Sequence, residues 1–327
     1  MNRINSQVFK PIPRIDLAFS KGGLGDSIAR LPVVKHMLET CTHVQKIRVF
    51  VQDYFVSYAE YVFSAYSDKV EFVGYSKMVD LIENDAAKVG MNTDSTHHTT
   101  IRSHLTDHAF HTLLDEQPTD LNAYNYVQIE EHVKTDWEHL TNYAVITTGF
   151  TAAVREWPAK EINKVVHALV AQGILPVFLG KTESVYWGSS KTEGYFRDEI
   201  QYHMGLNLID STSLLEASAI MSKARAVIGL DNGLLHLAAA SDDWVPIIAG
   251  YTTVRPEHRV PYRRGIKGFG VQVVTPAASP CKFCQSEARF VHEHDFRLCY
   301  FDDYECVKHV TGEQFIKGLQ NVGVLYK

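Results

Sequence analysis

The sequence has no long apolar run and no excess of basic residues. No apolar stretch approaches the ~20 residues that a helix needs to span a bilayer, and the segment from Met1 to Val8 lacks the apolar core of a secretory signal peptide. The formal net charge is −6 and the pI is about 6.2, which argues against a generally basic, nucleic-acid-binding surface. We therefore expect a cytoplasmic protein without a membrane span, for which nucleic acid is a poor partner.

Cysteine is also scarce. The chain has five cysteines, an odd number, and four of them lie between Cys281 and Cys306. This distribution is unlike the disulfide framework of a secreted domain. The remaining composition is that of a soluble globular protein, with 45% hydrophobic and 21% charged residues. A length of 327 residues favours two domains at roughly 150 residues each.

Short β-rich runs alternate with helical patterns along the chain. The predicted strands are Ile15–Ser20, Ile47–Gln52, Val70–Val73, Tyr126–Ile129, Ala144–Thr148, Leu175–Leu179, Asn207–Ile209, Ala226–Leu230 and Val245–Ala249. The predicted helices are Asp26–Glu39, Tyr54–Ala65, Lys77–Lys88, Ala159–Gln172, Ser213–Lys223 and Asn232–Ser241. Such alternation predicts an α/β fold with parallel sheets and right-handed crossovers.

We place the domain boundary near Asn142, giving an N-terminal domain of residues 1–142 and a C-terminal domain of residues 143–327 that ends in a helix. An active cleft between two such domains is expected at the carboxyl ends of their strands. The polar, histidine-rich segment from Gly90 to Gln117 fits neither pattern. We interpret it as a surface insertion or an acceptor-side loop.

The most informative stretch runs from Val227 to Ala240, where an apolar run breaks at Asp231-Asn232-Gly233 and resumes with helical character. A buried strand that turns into a helix leaves backbone N–H groups at the helix start. Such a helix start binds anions, and the amides of Asn232, Gly233 and Leu234 are the candidates here. The alternative is an ordinary α/β turn.

A related turn, Ser20-Lys-Gly-Gly-Leu-Gly-Asp26, follows the first predicted strand. Glycines let the backbone turn tightly and approach a ligand, and Asp26 falls at the start of the next helix, where a carboxylate is stabilised. Asp26 is either a helix cap or a chemical group. The glycines do not form a complete dinucleotide or Walker motif, so they alone identify no nucleotide.

Two further strand ends carry charged residues. Arg155, in the segment Thr147 to Pro158, lies where a guanidinium can reach a diphosphate, and Trp157-Pro158 would anchor the following helix. Glu183, in Gly180-Lys-Thr-Glu, follows a strand and suits hydrogen bonds from ribose hydroxyls. Taken singly, each has a plain surface interpretation.

Taken in order, these segments resemble glycosyltransferase family 9, the heptosyltransferases and their relatives, over roughly residues 14 to 320. The matching motifs are Leu24-Gly25-Asp26 with Leu31-Pro32, Arg155 before Trp157-Pro158, Gly180 to Glu183, Ser213-Leu214-Leu215-Glu216, and Asp231 to Ala240. One position departs from the last motif, since Asn232 replaces a threonine or serine.

The resemblance implies a GT-B fold, with two Rossmann-like domains facing across a cleft, and inverting transfer of a sugar from a nucleotide-diphosphate donor to an acceptor hydroxyl. It implies that Asp26 is the general base, next to Gly25. The donor-binding residues would be Gly25, Arg155, Glu183, Asp231, Asn232, Gly233, Leu234 and His236. Such a displacement needs a base and charge stabilisation for the departing diphosphate, which amides and Arg155 supply without a catalytic cofactor. For His236 we favour bracing of the loop over contact with the diphosphate.

The family's usual Gly-Pro-Thr-x-Pro loop is here Ala249-Gly-Tyr-Thr-Thr-Val-Arg-Pro256. This departure makes ADP-heptose the family expectation for the donor, with another nucleoside-diphosphate sugar as the alternative. The sequence does not specify the acceptor, a glycan or a macromolecule, because acceptor sites in such folds lie on variable loops. Transfer to a protein or a modified DNA base remains open, and so does a non-catalytic nucleotide- or metal-binding scaffold.

The cysteine-rich segment 281–306 has the spacing Cys281-x2-Cys284-x14-Cys299-x6-Cys306. Four thiolates at this spacing can converge on Zn or Fe, and we predict a structural metal site there, with His292 and His294 as alternative ligands. Autotransporter heptosyltransferases, which are similar in this region, use such a cluster for iron. The opposing interpretation is that the cysteines are structural without metal.

Overall fold

A computed structural model of the chain describes residues 12–19, 23–78, 81, 90–92, 105–114, 118–126, 133–148, 153–182, 200–242, 244–276, 279, 281–286, 299 and 303–326. The chain forms two compact units, Met1–Glu131 with Tyr262–Lys267, and His132–Pro261 with Gly268–Lys327. The division thus falls at Glu131 rather than near Asn142, and one short segment from the second half belongs to the first unit. In the described part of the chain, no helix combines the length and apolar composition that crossing a bilayer requires.

The first unit is built on a parallel four-stranded sheet with the order β3-β2-β1-β4. Its strands are β1 (Ile15–Ala18), β2 (Ile47–Val51), β3 (Val70–Gly74) and β4 (Gly90–Asn92). Its helices are α1 (Leu24–Thr40), α2 (Val56–Val62) and α3 (Leu105–Leu114). All five residues of β2 are buried and four of them are apolar, because a parallel sheet is covered on both faces.

The interpretation of Gly90–Gln117 as an insertion or loop was wrong at Gly90–Asn92 and Leu105–Leu114, and residues 93–104 and 115–117 lie outside the described part. Residues Gly90–Asn92 pair in parallel with Asp16–Ala18 and complete the sheet, while α3 packs against α1 and buries Ala109 and Phe110. A three-residue strand is too short to show an alternating pattern, so its sequence carries no signal. The strand predicted at Tyr126–Ile129 is not seen at Tyr126, and residues 127–129 lie outside the described part, as does most of Lys77–Lys88.

A hairpin from the second half of the sequence joins the first unit. Its strands, β10 (Tyr262–Arg263) and β11 (Ile266–Lys267), pair antiparallel. Arg264 and Gly265 both have positive φ, 50° and 70°, as a tight two-residue hairpin turn requires. The Tyr262 hydroxyl donates to Asp107 Oδ1 (2.7 Å) and its ring stacks on Tyr124. These contacts, which composition cannot reveal, assign the hairpin to the first unit.

The second unit has a parallel sheet of six strands with the order β12-β9-β8-β5-β6-β7. Its strands are β5 (Tyr143–Thr148), β6 (Leu175–Gly180), β7 (Leu206–Asn207), β8 (Val227–Leu230), β9 (Ile247–Gly250) and β12 (Val271–Val274). Its helices are α4 (Ala159–Ala171), α5 (Leu214–Ser222), α6 (Gly233–Ser241), α7 (Pro256–Arg259), α8 (Glu305–Lys308) and α9 (Gly312–Asn321).

The two sheets confirm the predicted α/β fold with parallel strands. In the second unit, successive strands run outward from β5 in one direction as β6 and β7, and in the other as β8, β9 and β12. The chain therefore reverses its winding between β5 and β8. In open α/β sheets, ligands bind at the carboxyl ends of the strands at such a switch point, which directs attention to the residues that follow β5 and β8.

Candidate functional site

Asp26 lies in the first turn of α1, after β1 of the first unit. Gly23 is the N-cap of this helix, and its backbone N–H donates to Asp26 Oδ2 at 2.9 Å. The side chain thus satisfies one of the amides that a helix start leaves unpaired. Asp26 is nevertheless partly exposed. Capping and proton transfer are therefore compatible at this position.

Arg30 follows Asp26 by one helical turn, and motif matching did not select it. Its side chain is 6% exposed and its guanidinium lies 5.6 Å from the centre of the Phe19 ring, a cation–π contact. Phe19 immediately follows β1. A buried cation is thus fixed between the first strand and the helix that carries Asp26.

The turn after β8 has the strand, turn and helix start that the sequence predicts. Asn232 is the N-cap of α6, and its Oδ1 accepts the Leu234 N–H at 2.9 Å. Its Nδ2 donates to Thr147 Oγ1 on β5, also at 2.9 Å. Asn232 therefore caps α6 and also makes a bond across the switch point. The Leu234 amide, one of the predicted anion ligands, is engaged by this cap.

Strands β5 and β8 approach closely beneath this turn. A Cβ atom added to Gly229 would lie 1.9 Å from Thr147 Oγ1, so only glycine fits there. Thr147 is 4% exposed and its hydroxyl also donates to the Ile228 carbonyl at 3.3 Å. The position of the Asn232 side chain is thus fixed by buried neighbours.

Arg155 and Asp231 meet at the same end of the sheet. Arg155 ends a short 3-10 turn, Ala153–Arg155, after β5, and its Nε lies 3.6 Å from Asp231 Oδ2. The Asp231 residue is 7% exposed, whereas the Arg155 side chain is 19% exposed. The pair places a partly exposed arginine side chain beside a helix start, an arrangement suited to phosphate oxygens.

Trp157 anchors the segment that carries Arg155, as the sequence predicts. Its indole Nε1 donates to the Val310 carbonyl at 3.1 Å, and its ring centre lies 4.0 Å from that of Phe315 on α9. Pro158 is the N-cap of α4. The core of the second unit therefore fixes the residue two positions after Arg155.

His236 is 3% exposed within α6. Such burial suits a histidine that braces the turn from within, the role we favoured for it. A histidine that contacts a ligand needs a face open to that ligand. The bracing role of His236 stays a prediction.

Asp210 supports the loop predicted to bind ribose, and sequence reasoning missed it. Its carboxylate accepts the Thr182 N–H at 3.2 Å and the Thr182 hydroxyl at 2.6 Å. Asp210 has a φ of 58°, a left-handed conformation that aspartate tolerates better than most residues. Glu183 itself lies outside the described residues.

The Ser213 to Glu216 motif is a helix start. The Ser213 hydroxyl accepts the Glu216 N–H at 3.2 Å, and Glu216 Oε2 accepts the Ser213 N–H at 2.8 Å. These two bonds form a capping box. Hydrogen bonds from the Ser213 backbone and then from its hydroxyl lower the pKa of Glu216. The motif therefore orders α5.

The loop after β9 borders the Arg155 segment. The Thr252 hydroxyl donates to the Val154 carbonyl at 2.7 Å. Tyr251 is buried, and burial followed by the negative charge of Asp231 raises its pKa, so the phenol stays neutral. The Thr253 hydroxyl is buried and makes no hydrogen bond within the described residues. A buried hydroxyl of this kind calls for a ligand or water partner.

The four clustered cysteines, which lie in the second unit, form no disulfide with one another. Burial, followed by the nearby Cys281, raises the pKa of Cys284 to about 11, and Cys299 adds to the effect. Burial and then the other three thiols raise the pKa of Cys306. The four sulfur atoms are thus close enough to interact electrostatically. Across the described residues, however, no three Cys, His, Asp or Glu are arranged closely enough to hold a metal ion, and His292 and His294 lie outside them.

Comparisons with known proteins identify the family of the chain. Residues 76–287 match the model of Glycosyltransferase family 9 (heptosyltransferase). A stretch of 107 residues is 25% identical to lipooligosaccharide heptosyltransferase 2 of Haemophilus ducreyi. That stretch spans 33% of this chain and 30% of the relative.

Two solved structures share the fold. One is the iron-containing dodecameric glycosyltransferase TibC from enterotoxigenic E. coli, with a TM-score of 0.70, 17% identity, and coverage of 96% of this chain and 76% of that chain. The other is dodecameric iron-containing heptosyltransferase TibC in complex with ADP-D-beta-D-heptose, with a TM-score of 0.68, 16% identity and the same coverage. At these identities the likeness shows the fold.

Proposed function

The chain belongs to glycosyltransferase family 9, and we propose on this premise that it transfers a sugar from a nucleoside-diphosphate donor to an acceptor hydroxyl. The observation that carries the proposal is the convergence of Arg155, Asp231 and Asn232 at the carboxyl ends of β5 and β8. A partly exposed arginine side chain beside a helix N-terminus is suited to bind and stabilise a departing diphosphate.

The acceptor side of the reaction is assigned to Asp26. Its carboxylate is partly exposed and sits in the first turn of α1, where the helix dipole stabilises the ionised form that a general base needs. Asp26 would remove the proton from the acceptor hydroxyl as that oxygen attacks the sugar. Direct attack of this kind inverts the anomeric centre, because it uses no enzyme nucleophile.

ADP-heptose is the first donor to test. A solved structure of similar fold holds ADP-D-beta-D-heptose, and the matched relative is named a lipooligosaccharide heptosyltransferase. The unusual loop after β9 favours including other nucleotide sugars. In this loop, which replaces the family's Gly-Pro-Thr-x-Pro sequence, Tyr251 is buried and the Thr252 hydroxyl donates to the Val154 carbonyl.

A thermal-shift screen against ADP-heptose, ADP-glucose, UDP-sugars and GDP-sugars tests donor binding. Mass spectrometry of candidate glycan acceptors incubated with the selected donor then tests transfer. Donor-dependent mass addition, lost in Asp26→Asn, supports the proposal. Donor binding without transfer to glycan, protein or modified DNA, and without effect of Asp26→Asn, would instead support a non-catalytic scaffold.

We further propose that Cys281, Cys284, Cys299 and Cys306 hold a structural Zn or Fe ion. The support is chemical: four cysteine thiols that interact electrostatically within one segment are the donor set that these metals prefer. Ionising neighbouring thiols is costly because the thiolates repel one another, and a bound cation removes that cost. When bound, the metal would hold the cysteine-rich segment together without taking part in transfer.

Elemental analysis of the purified protein tests this proposal. We expect about one Zn or Fe per chain, by analogy with four-thiolate sites, and loss of the metal together with a lower Tm in Cys284→Ser. Cys41→Ser is the matched control, since Cys41 is buried in the first unit. Purified protein with four titratable thiols in the segment and no metal after reconstitution would contradict the proposal.

A further inference from the structure

Gln285, the residue after Cys284, is fixed against the loop that follows β9. It is 4% exposed, and its backbone N–H donates to the Thr253 carbonyl at 2.9 Å. The Phe283 N–H donates to the Thr252 carbonyl at 2.8 Å. Two parallel backbone bonds therefore hold the segment that contains Gln285.

The side chain of Gln285 reaches Arg155. Gln285 Oε1 lies 3.5 Å from Arg155 Nη2, which donates to it, while Arg155 Nε faces the Asp231 carboxylate at 3.6 Å. A guanidinium carries its N–H groups in a rigid, planar fork. Contacts at two different nitrogens therefore fix the plane of the Arg155 guanidinium.

The surroundings keep Gln285 rigid. Ser286 Oγ accepts the Arg255 N–H at 2.9 Å and lies 3.2 Å from His258 Nδ1. Phe283 has a φ of 56°, a left-handed conformation that a bulky side chain adopts only where the surrounding structure enforces it. The segment thus docks through several independent contacts.

A packed cluster links the cysteine-rich segment to the turn that bears Arg155. Ala153 and Val154 of that turn pack against Tyr304 and Cys299. Tyr304 also has a positive φ, 52°, just before α8. The 3-10 turn is therefore held on one side by this cluster and on the other by the Thr252 hydroxyl.

The choice of an amide at position 285 has an electrostatic consequence. Asp231 already places one carboxylate beside Arg155. A second carboxylate would offset the remaining positive charge that attracts phosphate, whereas a neutral amide oxygen orients the guanidinium without neutralising it.

We infer that Gln285 is a positioning residue for the donor diphosphate: it orients Arg155 and thereby couples the cysteine-rich segment to the donor site. The inference rests on the proposed function and deepens it. The competing role for Gln285 is packing alone, in which the contact with Arg155 has no effect on ligand binding.

The test is a double-mutant cycle measured by calorimetric titration of ADP into the full-length protein. Gln285→Met preserves side-chain volume and removes the acceptor, and we expect the Kd for ADP to rise about tenfold, the scale of a lost hydrogen bond to a charged group. In an Arg155→Met background the same change should alter Kd by less than about twofold, since coupled residues are not additive. Gln272→Met, on β12 of the same unit, is the matched control and should leave the Kd unchanged.

Gln285→Glu supplies a second arm that keeps the shape of the side chain and an acceptor oxygen. We expect it to retain the wild-type Tm and to bind ADP more weakly, because it offsets the charge on Arg155. Wild-type affinity in both Gln285 variants, or full additivity with Arg155→Met, would overturn the inference. Absence of nucleoside-diphosphate binding by the wild-type protein would overturn the proposed function itself, a separately recognisable result.

Discussion

Each unit has a strand that leads through an aspartate-containing turn to a helix, but the two turns hold their aspartates differently. In the first unit, residues 19–23 separate β1 from α1, and Asp26 lies inside the first helical turn, partly exposed. In the second, only Asp231 and Asn232 separate β8 from α6, and Asp231 is buried beside Arg155.

The difference suits two kinds of work. A buried aspartate within 3.6 Å of a guanidinium fixes a cation in place for binding an anion. A partly exposed aspartate at a helix start can stay ionised and exchange a proton with a substrate hydroxyl. These environments fit the proposed roles, proton transfer at Asp26 and diphosphate binding at Arg155. Each role can be tested separately.

The largest expected effect is that of Asp26→Asn on sugar transfer. Asparagine can still accept the Gly23 N–H but cannot take a proton, so the turnover rate should fall roughly 10²- to 10⁴-fold, the contribution of a general base. Initial rates by mass spectrometry measure this. Asp68→Asn, at an exposed site in the first unit, serves as the control, and near-normal turnover of Asp26→Asn would refute the base assignment.

Arg155→Met should weaken binding of the donor nucleotide. Loss of charged hydrogen bonds worth roughly 1.5–3 kcal/mol predicts an increase of about 10- to 100-fold in the Kd for ADP. The Tm should also fall, because buried Asp231 loses its ion-pair partner. Titration calorimetry and thermal denaturation measure the two effects. Arg225→Met, at a half-buried arginine of the same unit, should leave ADP binding intact.

Two substitutions of Asn232 measure how much its side chain stabilises the start of α6. Asn232→Ala removes both the cap of Leu234 and the bond to Thr147, and should lower the free energy of unfolding by about 1 kcal/mol. Asn232→Thr restores a capping oxygen and should lose only part of that stability. Urea denaturation compares the two variants. Equal stability of Asn232→Ala and wild type would show that the cap contributes little.

The smallest effect concerns the strand beneath the donor turn. The Tyr143 hydroxyl donates to the Ile220 carbonyl at 2.7 Å, and burial raises its pKa to about 12. Tyr143→Phe should cost about 0.5–1.5 kcal/mol of unfolding free energy at neutral pH. A folded-state pKa above the unfolded value of about 10 means that this advantage is complete below pH ~10 and declines as the pH rises toward 12. Urea unfolding of both proteins at neutral pH and at about pH 11 checks this; a difference that does not shrink would contradict it.

The sequence predicts most of the scaffold because buried parallel strands are continuous apolar runs. The strand predicted at Ile47–Gln52 is confirmed at Ile47–Val51, and that at Ala226–Leu230 is confirmed at Val227–Leu230. Strand β4 was missed because Gly90–Asn92 is too short for a periodic signal. The hairpin Tyr262–Lys267 was placed with the wrong half, because its partners Asp107 and Tyr124 are remote in sequence.

The residues of the candidate site are likewise only partly predictable from the sequence. Asp231, Asn232 and Arg155 follow predicted strands, so the topology of a parallel sheet brings them to one edge. Asp210 and Gln285 lie outside the motifs, and only their contacts with Thr182 and Arg155 identify them. A local pattern predicts where strands end, whereas the side chains that orient a site come from loops whose approach depends on the whole fold.

The most direct test of the division between chemistry and binding is calorimetric titration of ADP into Asp26→Asn and Arg155→Met side by side. We expect Asp26→Asn to bind ADP with wild-type affinity and Arg155→Met to bind it about 10- to 100-fold more weakly. Weakened binding in Asp26→Asn together with wild-type binding in Arg155→Met would contradict the assignment of the two turns.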